Sequence, residues 1–176
     1  GSNEDGSIRT FSRGGSDVTG AIIADGVNSE LYENWTDVSG FLMADPRVVK
    51  DPKPIKLVTY KELRELSYMG APVLHEEAIF PVRRLGIPIN IRNTNKPEDE
   101  STLIVNDQWA ERNEGSITGI AGKKDFTVIS VEKTLMTAEQ GFFRKLVSVF
   151  ETNEITIEHM PSSIDSISVI VSDIGL

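Results

Sequence analysis

A glycine pair flanked by polar side chains, at residues 12–17 (Ser-Arg-Gly-Gly-Ser-Asp), is the first segment that could do chemistry. Adjacent glycines let backbone N–H groups approach a ligand closely. A helix starting here would add a positive potential suited to a carboxylate or phosphate. Arg13 could grip a carboxylate through two hydrogen bonds, Ser16 offers a hydroxyl, and Asp17 could hold an ammonium group. The set suits an amino acid; the alternative is a plain glycine turn with a surface arginine.

A second polar segment covers residues 36–40 (Thr-Asp-Val-Ser-Gly) and continues to Asp45-Pro46-Arg47. The Asp-Pro step would shape a turn, and Arg47 could neutralise the phosphate charge of a nucleotide. Taken alone, the segment is more typical of a β-turn with an exposed arginine. Neither segment has the P-loop pattern G-x-x-x-x-G-K-[ST].

Local patterns predict the elements that would position these loops. A strand over 7–11 precedes the glycine loop, and a helix over 18–24, capped by Ser16 or Asp17, follows it and ends near Gly26. Thr59 and Glu62 form a T-x-x-E capping box at the start of a second helix. The remaining predictions for this part of the chain are a helix over 76–85 that contains Pro81, and strands over 31–35, 87–91 and 102–105.

The last third of the sequence predicts a strand, a helix and two more strands, over 126–131, 138–153, 155–158 and 167–171. This βαββ run has about the size of a ferredoxin-like module without its closing helix and strand. Such a module is either truncated or completed by another chain. Because residues 106–115 are polar and weakly patterned, we divide the chain into a domain over 1–106, a linker over 107–124 and a second domain over 125–176.

Composition narrows the class of protein. The 176 residues are 39% hydrophobic and 26% charged, with a net charge of −9, which favours a soluble globular protein and disfavours nucleic-acid binding. There is no cysteine, so disulfides and zinc–thiolate sites are excluded, and with two distant histidines we predict no His/Cys metal site. A polar start and the lack of a long apolar run predict no signal peptide and no membrane span, and we expect a cytoplasmic location.

Four blocks of the sequence, taken in order, resemble the aspartokinases. These are T-x-x-R-G-G-S-D at 10–17, W-T-D-V-x-G with D-P-R-x-V at 35–49, a helix ending G-A-x-V-L-H at 62–75, and the strand region at 87–94. The resemblance implies an α/β fold, namely part of the amino-acid-kinase (carbamate-kinase-like) α/β/α sandwich, followed by a partial ferredoxin-like βαββ ACT domain. It also implies transfer of the ATP γ-phosphoryl group to the β-carboxylate of L-aspartate with Mg²⁺.

The resemblance also assigns roles to residues. The aspartate-binding residues would be Arg13, Gly14, Gly15, Ser16 and Asp17. The ATP-binding residues would be Thr36, Asp37, Arg47, Val73 and Leu74. The main catalytic lysine of the family belongs to an N-terminal lobe that this sequence lacks, so we identify no catalytic residue and expect the chain alone to be inactive.

In the ACT-like part, the resemblance implies a site for a feedback amino acid, usually at a dimer interface. Its residues would be Met136, Gln140, Gly141, Phe142, Phe143, Ile157 and Glu158. The effector would be lysine or threonine, and Glu158 with the stretch 160–165 leans toward lysine. The alternative is that Phe142 and Phe143 are core residues.

The sequence departs from the family pattern at three positions. Pro72 stands where the family often has a lysine, Glu76 replaces a proline, and Leu42 replaces a common tyrosine. The second hypothesis, which rests on the ACT-like half and the missing catalytic lobe, is a stand-alone ACT-type amino-acid-binding regulatory protein. A glutamate or uridylate kinase is disfavoured, because it would not be expected to combine the R-G-G-S-D block with an ACT-like tail.

Overall fold

The computed structural model describes residues 1–10, 14–71, 74, 76–108 and 117–173, without the side chains of 76–78. The chain divides into two compact units, Gly1–Gly122 and Lys123–Leu176. Each unit has its own hydrophobic core. Of the helices in the described ranges, none has the length and apolar character needed to cross a lipid bilayer.

The first unit is an α/β structure built on a four-stranded mixed sheet. Its elements are α1 (Gly15–Gly26), β1 (Tyr32–Thr36), β2 (Phe41–Leu42), β3 (Pro54–Ile55), β4 (Leu57–Thr59), α2 (Tyr60–Tyr68), α3 (Glu76–Leu85), β5 (Ile89–Asn93) and β6 (Thr102–Val105). The strand order is β1-β5-β6-β4, and β2 and β3 form a separate antiparallel pair. β1 is parallel to β5, and β4 is parallel to β6, whereas β5 and β6 are antiparallel.

The core of this unit lies between the sheet and the helices. β5 alternates, with Ile89 and Ile91 buried in the same cluster as Ile104 of β6, as expected for a strand with one face on a core. Leu63 of α2 and Val82 of α3 are fully buried in that cluster. The apolar helix faces therefore fix the helices on the sheet.

The predicted start of α2 is confirmed. The hydroxyl of Thr59 accepts a hydrogen bond from the backbone N–H of Glu62 at 3.2 Å, and the Glu62 carboxylate accepts one from the backbone N–H of Thr59 at 2.9 Å. This reciprocal pair satisfies two N–H groups that the first turn of the helix leaves open. The predicted bounds of α3, with Pro81 inside it, are also confirmed.

Two predictions near the start of the chain are wrong. Residues 7–10 form no strand, and the segment makes only an isolated bridge between Ser2 and Ile8. Ile8 is 84% exposed, because the segment folds back on itself without reaching the sheet. α1 is capped by Gly14, which has no side chain to bond, so neither Ser16 nor Asp17 is the N-cap.

The second unit has the predicted strand–helix–strand–strand order. It comprises β7 (Phe126–Glu132), α4 (Phe142–Thr152), β8 (Ile157–His159) and β9 (Ser166–Ser172), with sheet order β7-β9-β8 and antiparallel pairing throughout. Phe150 of α4 packs with Ile167 and Val169 of β9. The helix begins four residues later than predicted, because 136–138 form a short 3-10 turn and Gly141 has a left-handed φ of 78°.

Candidate functional site

The N-terminus of α1 lies toward the carboxyl end of β1. Asp17 of α1 is hydrogen-bonded to Asn34, whereas Gly20, one turn further along α1, lies against Tyr32. The residue numbers rise along the helix while those of their strand partners fall, so the two elements run in opposite directions. The glycine loop that precedes α1 is thereby brought to the edge of the sheet where β1 ends.

Gly20 allows this close approach. A Cβ atom at this position would lie 2.5 Å from the hydroxyl oxygen of Tyr32, far inside van der Waals contact. The Tyr32 hydroxyl donates to the backbone carbonyl of Asp17 at 3.3 Å, and burial raises the pKa of this phenol. The helix therefore rests directly on the tyrosine of the strand.

Asp17 is the one charged side chain of the predicted aspartate loop within the described residues. Its carboxylate Oδ1 accepts a hydrogen bond from Nδ2 of Asn34 at 3.1 Å. Ser16 is exposed, and Gly14 adopts a left-handed φ of 68° immediately before the helix. Arg13 lies outside the described residues.

The loop after β1 is tied to the loop after β5. The backbone N–H of Thr94 donates to the carbonyl of Thr36 at 2.8 Å. Nδ2 of Asn93 donates to the Ser39 hydroxyl at 2.9 Å, and that hydroxyl donates to Asp99 at 2.6 Å. Because β1 and β5 are parallel, both loops leave the same sheet edge, the usual place for a ligand in α/β folds.

Thr36 and Asp37, predicted to bind ATP, stand at this edge. The Thr36 hydroxyl donates to Oδ1 of Asp37 at 3.2 Å, and the Asp37 side chain is exposed. The structure thus brings Gly14, Gly15, Ser16 and Asp17 to the same edge as Thr36 and Asp37. Charged and hydroxyl groups of both loops are therefore available to ligands bound at this edge.

Gly40 closes the β1 loop against the start of β6. Its φ is 76°, and a Cβ atom here would lie 2.4 Å from the hydroxyl oxygen of Thr102. That hydroxyl accepts a hydrogen bond from the backbone N–H of Phe41 at 2.7 Å and donates to the carbonyl of Ile55 at 2.6 Å. Thr102 is 1% exposed, so the loop is fixed by a buried polar contact.

Arg47 is paired with Asp45 within its own loop. Nε and Nη2 of Arg47 donate to the Asp45 carboxylate, the latter at 2.6 Å, and the backbone N–H of Arg47 donates to Oδ1 at 2.8 Å. These hydrogen bonds lower the pKa of Asp45 to about 2. The arginine side chain is 83% exposed, and the ion pair does not use Nη1.

The last two residues predicted to bind ATP are Val73 and Leu74. Val73 lies outside the described residues, and Leu74 is half-buried against the core of the first unit. Leu74 also lines a cleft of about 420 Å³ between α2 and α3, together with Tyr60, Tyr68, Phe80 and Arg83. No pattern in the sequence pointed to this cleft.

A segment missed by the sequence analysis, residues 117–120, contacts the chain just after β2 and the first turn of α2. The backbone N–H of Ile120 donates to the carbonyl of Met43 at 2.7 Å, and the Thr118 hydroxyl donates to Oε1 of Glu62 at 2.5 Å. Burial alone would raise the pKa of Glu62, but the hydrogen bonds from Thr118 and Thr59 outweigh it and lower the pKa. No short-range signal in the sequence indicated these contacts.

In the second unit, the predicted effector residues divide by burial. Met136 is fully buried in the core, and Phe142 and Ile157 are half-buried against it. Phe143 is 38% exposed and meets the Phe142 ring edge-on, with centroids 6.2 Å apart. Gln140 and Gly141 are exposed and Glu158 is half-buried.

Charged residues beside the β7–α4 turn were also missed. Lys133 and Lys145 both form ion pairs with Glu139, the latter at 3.0 Å, and they lower the pKa of that carboxyl. Asp165 accepts the backbone N–H of Leu135 at 2.9 Å. Lys133 and Asp165 line an open polar pocket of about 380 Å³.

Within the described ranges, no group of three or more His, Asp or Glu side chains is arranged to hold a metal ion.

Comparison with known proteins gives the family. The model of the amino acid kinase family matches residues 1–93. Over 171 residues the chain is 44% identical to aspartokinase 3 of Bacillus subtilis strain 168, an alignment that covers 97% of this chain and 37% of that protein.

Solved structures agree with the sequence comparison. The Clostridium acetobutylicum aspartate kinase, described as an allosteric enzyme, matches with a TM-score of 0.89 and 64% identity over 99% of this chain and 40% of its own. Escherichia coli aspartokinase III with aspartate and ADP (R-state) matches with a TM-score of 0.71 and 28% identity, over 99% of this chain and 38% of its own. The same enzyme with lysine and aspartate (T-state) gives 0.70 and 26%, with the same coverage.

The chain spans about two fifths of the length of these relatives. Its family model covers more than half of the sequence, and the α/β fold is that of the aspartate kinase structures. The chain therefore belongs to the amino acid kinase family, and it is similar to the aspartokinases over nearly its whole length.

Proposed function

We propose that this chain is part of an aspartate kinase, to which it contributes the aspartate loop, a nucleotide loop and a regulatory unit. The reaction is ATP-dependent phosphorylation of the β-carboxylate of L-aspartate to 4-phospho-L-aspartate, the first step toward lysine, threonine and methionine in the cytoplasm. The observation that carries the proposal is the meeting of the loops before α1 and after β1 at one sheet edge. The fold that holds them matches an aspartate kinase at 64% identity.

Each loop has a distinct task in this proposal. Asp17 binds the ammonium group of aspartate, while Arg13, Ser16 and the N–H groups of Gly14 and Gly15 bind its carboxylates. Thr36, Asp37 and Arg47, with Val73 and Leu74 beside the nucleotide, position the ATP phosphates. Phosphoryl transfer depends mainly on such positioning and on neutralisation of charge.

The ion pair of Arg47 with Asp45 has a consequence for ATP binding. A phosphate at Arg47 either uses Nη1, which is outside the pair, or competes with Asp45 for the fork of the guanidinium. Mg²⁺ usually binds substrate phosphates plus one or two carboxylates, and the exposed carboxylate of Asp37 suits that role. When bound, the ion would offset the negative charge of the transferred phosphoryl group.

The test is an activity assay on the full-length protein that carries this sequence, with the isolated chain beside it. We expect aspartate-dependent release of ADP, with an acyl phosphate product that hydroxylamine traps, from the full-length protein only. A folded full-length protein that releases no ADP on addition of aspartate would contradict the proposal. Activity of the isolated chain would contradict the expectation that it lacks the catalytic lysine.

For the second unit we propose an ACT-type effector site for lysine or threonine, with lysine favoured. Support comes from the lysine complex of Escherichia coli aspartokinase III and from the exposed start of α4, where a carboxylate is favoured. Gln140, Gly141 and Phe143 would form the site with Glu158, while Met136, Phe142 and Ile157 form its floor. A homodimer through this unit would complete the site.

Isothermal titration with each amino acid tests this assignment, and Glu158→Gln is the variant to compare. We expect saturable binding of one amino acid, weakened by the substitution because Glu158 pairs with its ammonium group. Absence of binding by either amino acid to the full-length protein would exclude the effector site. Effector binding to a full-length protein without kinase activity would favour the second hypothesis, a stand-alone amino-acid-binding regulator.

A further inference from the structure

Asn34 is a buried polar residue at the candidate site to which the proposed mechanism gives no role. It lies in β1, is 7% exposed, and donates from Nδ2 to the Asp17 carboxylate at 3.1 Å and to the Tyr32 hydroxyl at 3.3 Å. The charge on Asp17 fixes the orientation of the amide, because an amide oxygen facing the carboxylate would be repelled. Burying a polar amide costs free energy unless its hydrogen bonds are made, so a buried asparagine normally has hydrogen-bond partners.

The contact holds Asp17 at one of its two oxygens. Oδ1 accepts the amide of Asn34, and the backbone carbonyl of the same aspartate accepts the Tyr32 hydroxyl. Within the described part of the chain, Oδ2 receives no comparable hydrogen bond. The aspartate is therefore anchored to the strand by its side chain and by its backbone, with one carboxylate oxygen left for a ligand.

We propose that Asn34 is a positioning residue that orients the Asp17 carboxylate toward the ammonium group of the amino acid substrate. The inference rests on the proposed function, in which Asp17 binds that ammonium group. An unrestrained aspartate side chain on a helix surface samples several rotamers. Fixing one rotamer before the substrate binds removes the entropy that binding would otherwise cost. Asn34 thus acts on the affinity for amino acids with a free amine, and it acts through Asp17.

The alternative is a purely structural role, in which the hydrogen bond between Asn34 and Asp17 only attaches α1 to β1. A purely structural role would change stability, or would change the binding of both substrates together. A positioning role predicts that the binding of aspartate changes alone, because the Thr36 and Asp37 loop is held by its own hydrogen bonds to the last residue of β5 and the residue after it.

The test is Asn34→Leu in the full-length kinase, since leucine has a similar volume and no donor. We expect KM for aspartate to rise about tenfold or more, as for loss of a hydrogen bond to a charged group, while KM for ATP stays within about twofold. Inhibition by succinate, which is aspartate without its amine, should keep its KI. If Asn34→Leu does not fold, Asn34→Thr removes the same amide with a side chain suited to a strand.

The matched control is Tyr32→Phe, two residues away on the same strand. It removes the hydroxyl that holds the Asp17 backbone and accepts the second hydrogen bond of the Asn34 amide, but it leaves the amide–carboxylate hydrogen bond in place. KM for aspartate should therefore rise clearly less than in Asn34→Leu. An equal rise of KM in both variants, or a parallel rise in the KI of succinate, would overturn the inference. A wild-type protein without aspartate kinase activity would overturn the proposed function instead.

Discussion

Replacement of Gly40 by alanine should destabilise the first unit strongly, although it adds only one methyl group. Gly40 has a φ of 76°, and an added Cβ atom would lie 2.4 Å from the Thr102 hydroxyl oxygen and 2.7 Å from the Thr102 backbone nitrogen. Both atoms belong to Thr102, the first residue of β6, which is 1% exposed. Neither can move aside without disturbing the sheet.

The loss in the free energy of unfolding expected for Gly40→Ala has two contributions. A non-glycine residue in the left-handed region costs about 1–2 kcal/mol. Displacing the Thr102 hydroxyl also breaks its hydrogen bonds with Phe41 and Ile55, and leaving buried groups unsatisfied costs about 1–3 kcal/mol. The expected loss in the free energy of unfolding is therefore about 2–5 kcal/mol, a large part of the stability of an ordinary domain.

Hydrogen exchange of the β5 and β6 backbone amides measures this loss in the first unit alone, whatever the second unit does. The matched control is Gly26→Ala at the end of α1, where an added Cβ atom meets nothing within 4 Å. The control should keep or raise stability by up to about 1 kcal/mol. Protection of β5 and β6 that is the same in Gly40→Ala and in wild type would refute the reasoning.

Three further predictions concern other parts of the chain. The pKa of Glu62 is lowered in the folded state, so the ionised carboxylate stabilises α2 above its unfolded pKa, and this stabilisation is lost as the pH falls through the folded pKa. In hydrogen exchange, the protection of α2 should therefore fall with acid in wild type and fall less in Glu62→Gln. The same fall in both proteins would contradict this. Phe150 is 6% exposed, and its replacement by alanine should lower the free energy of unfolding by about 3–5 kcal/mol. Its neighbour Val149 is 58% exposed, so replacing it by alanine should lower the free energy of unfolding by less than about 0.5 kcal/mol. Thermal unfolding of the second unit would measure both changes. Arg47→Gln should return the pKa of Asp45 from about 2 toward its ordinary value, and a carboxyl titration by NMR that stays near the lowered value would exclude the ion pair.

The elements that the sequence predicted well are governed by neighbours within one helical turn or one strand. The capping box of Thr59 and Glu62 needs residues three apart, and α3 needs an amphipathic period ended by Gly86. The alternation of β5 is local as well, although the strand predicted over 87–91 runs over Ile89–Asn93. Such rules operate before the chain has any tertiary structure.

The failures have a different origin. The strand expected at 7–11, of which the structure describes 7–10, has suitable residues but no partner in the sheet, and strand formation requires one. The N-cap of α1 was assigned to side chains, yet Asp17 is drawn to Asn34 on the next strand and Gly14 takes the cap position. Long-range contacts such as Thr118 with Glu62, 56 residues apart, leave no local pattern.

The candidate site was partly predictable for the same reason. The residue types in the two loops indicated ligand chemistry, but only the antiparallel course of α1 and β1 shows that Asp17 and Asp37 stand at one edge. The pairing of Arg47 with Asp45 was not expected, although the two residues are only two apart. The charge of Arg47 indicated a phosphate ligand, but the sequence could not show that the Asp45 carboxylate already pairs with this arginine.

The most direct test of the account is a pair of substitutions in the full-length kinase, Asp17→Asn and Asp37→Asn, with KM measured for both substrates. The account predicts that Asp17→Asn raises KM for aspartate about tenfold or more and leaves KM for ATP nearly unchanged, while Asp37→Asn does the reverse. Equal effects of the two variants on both substrates, or no effect of either, would contradict the assignment of the two loops to two substrates.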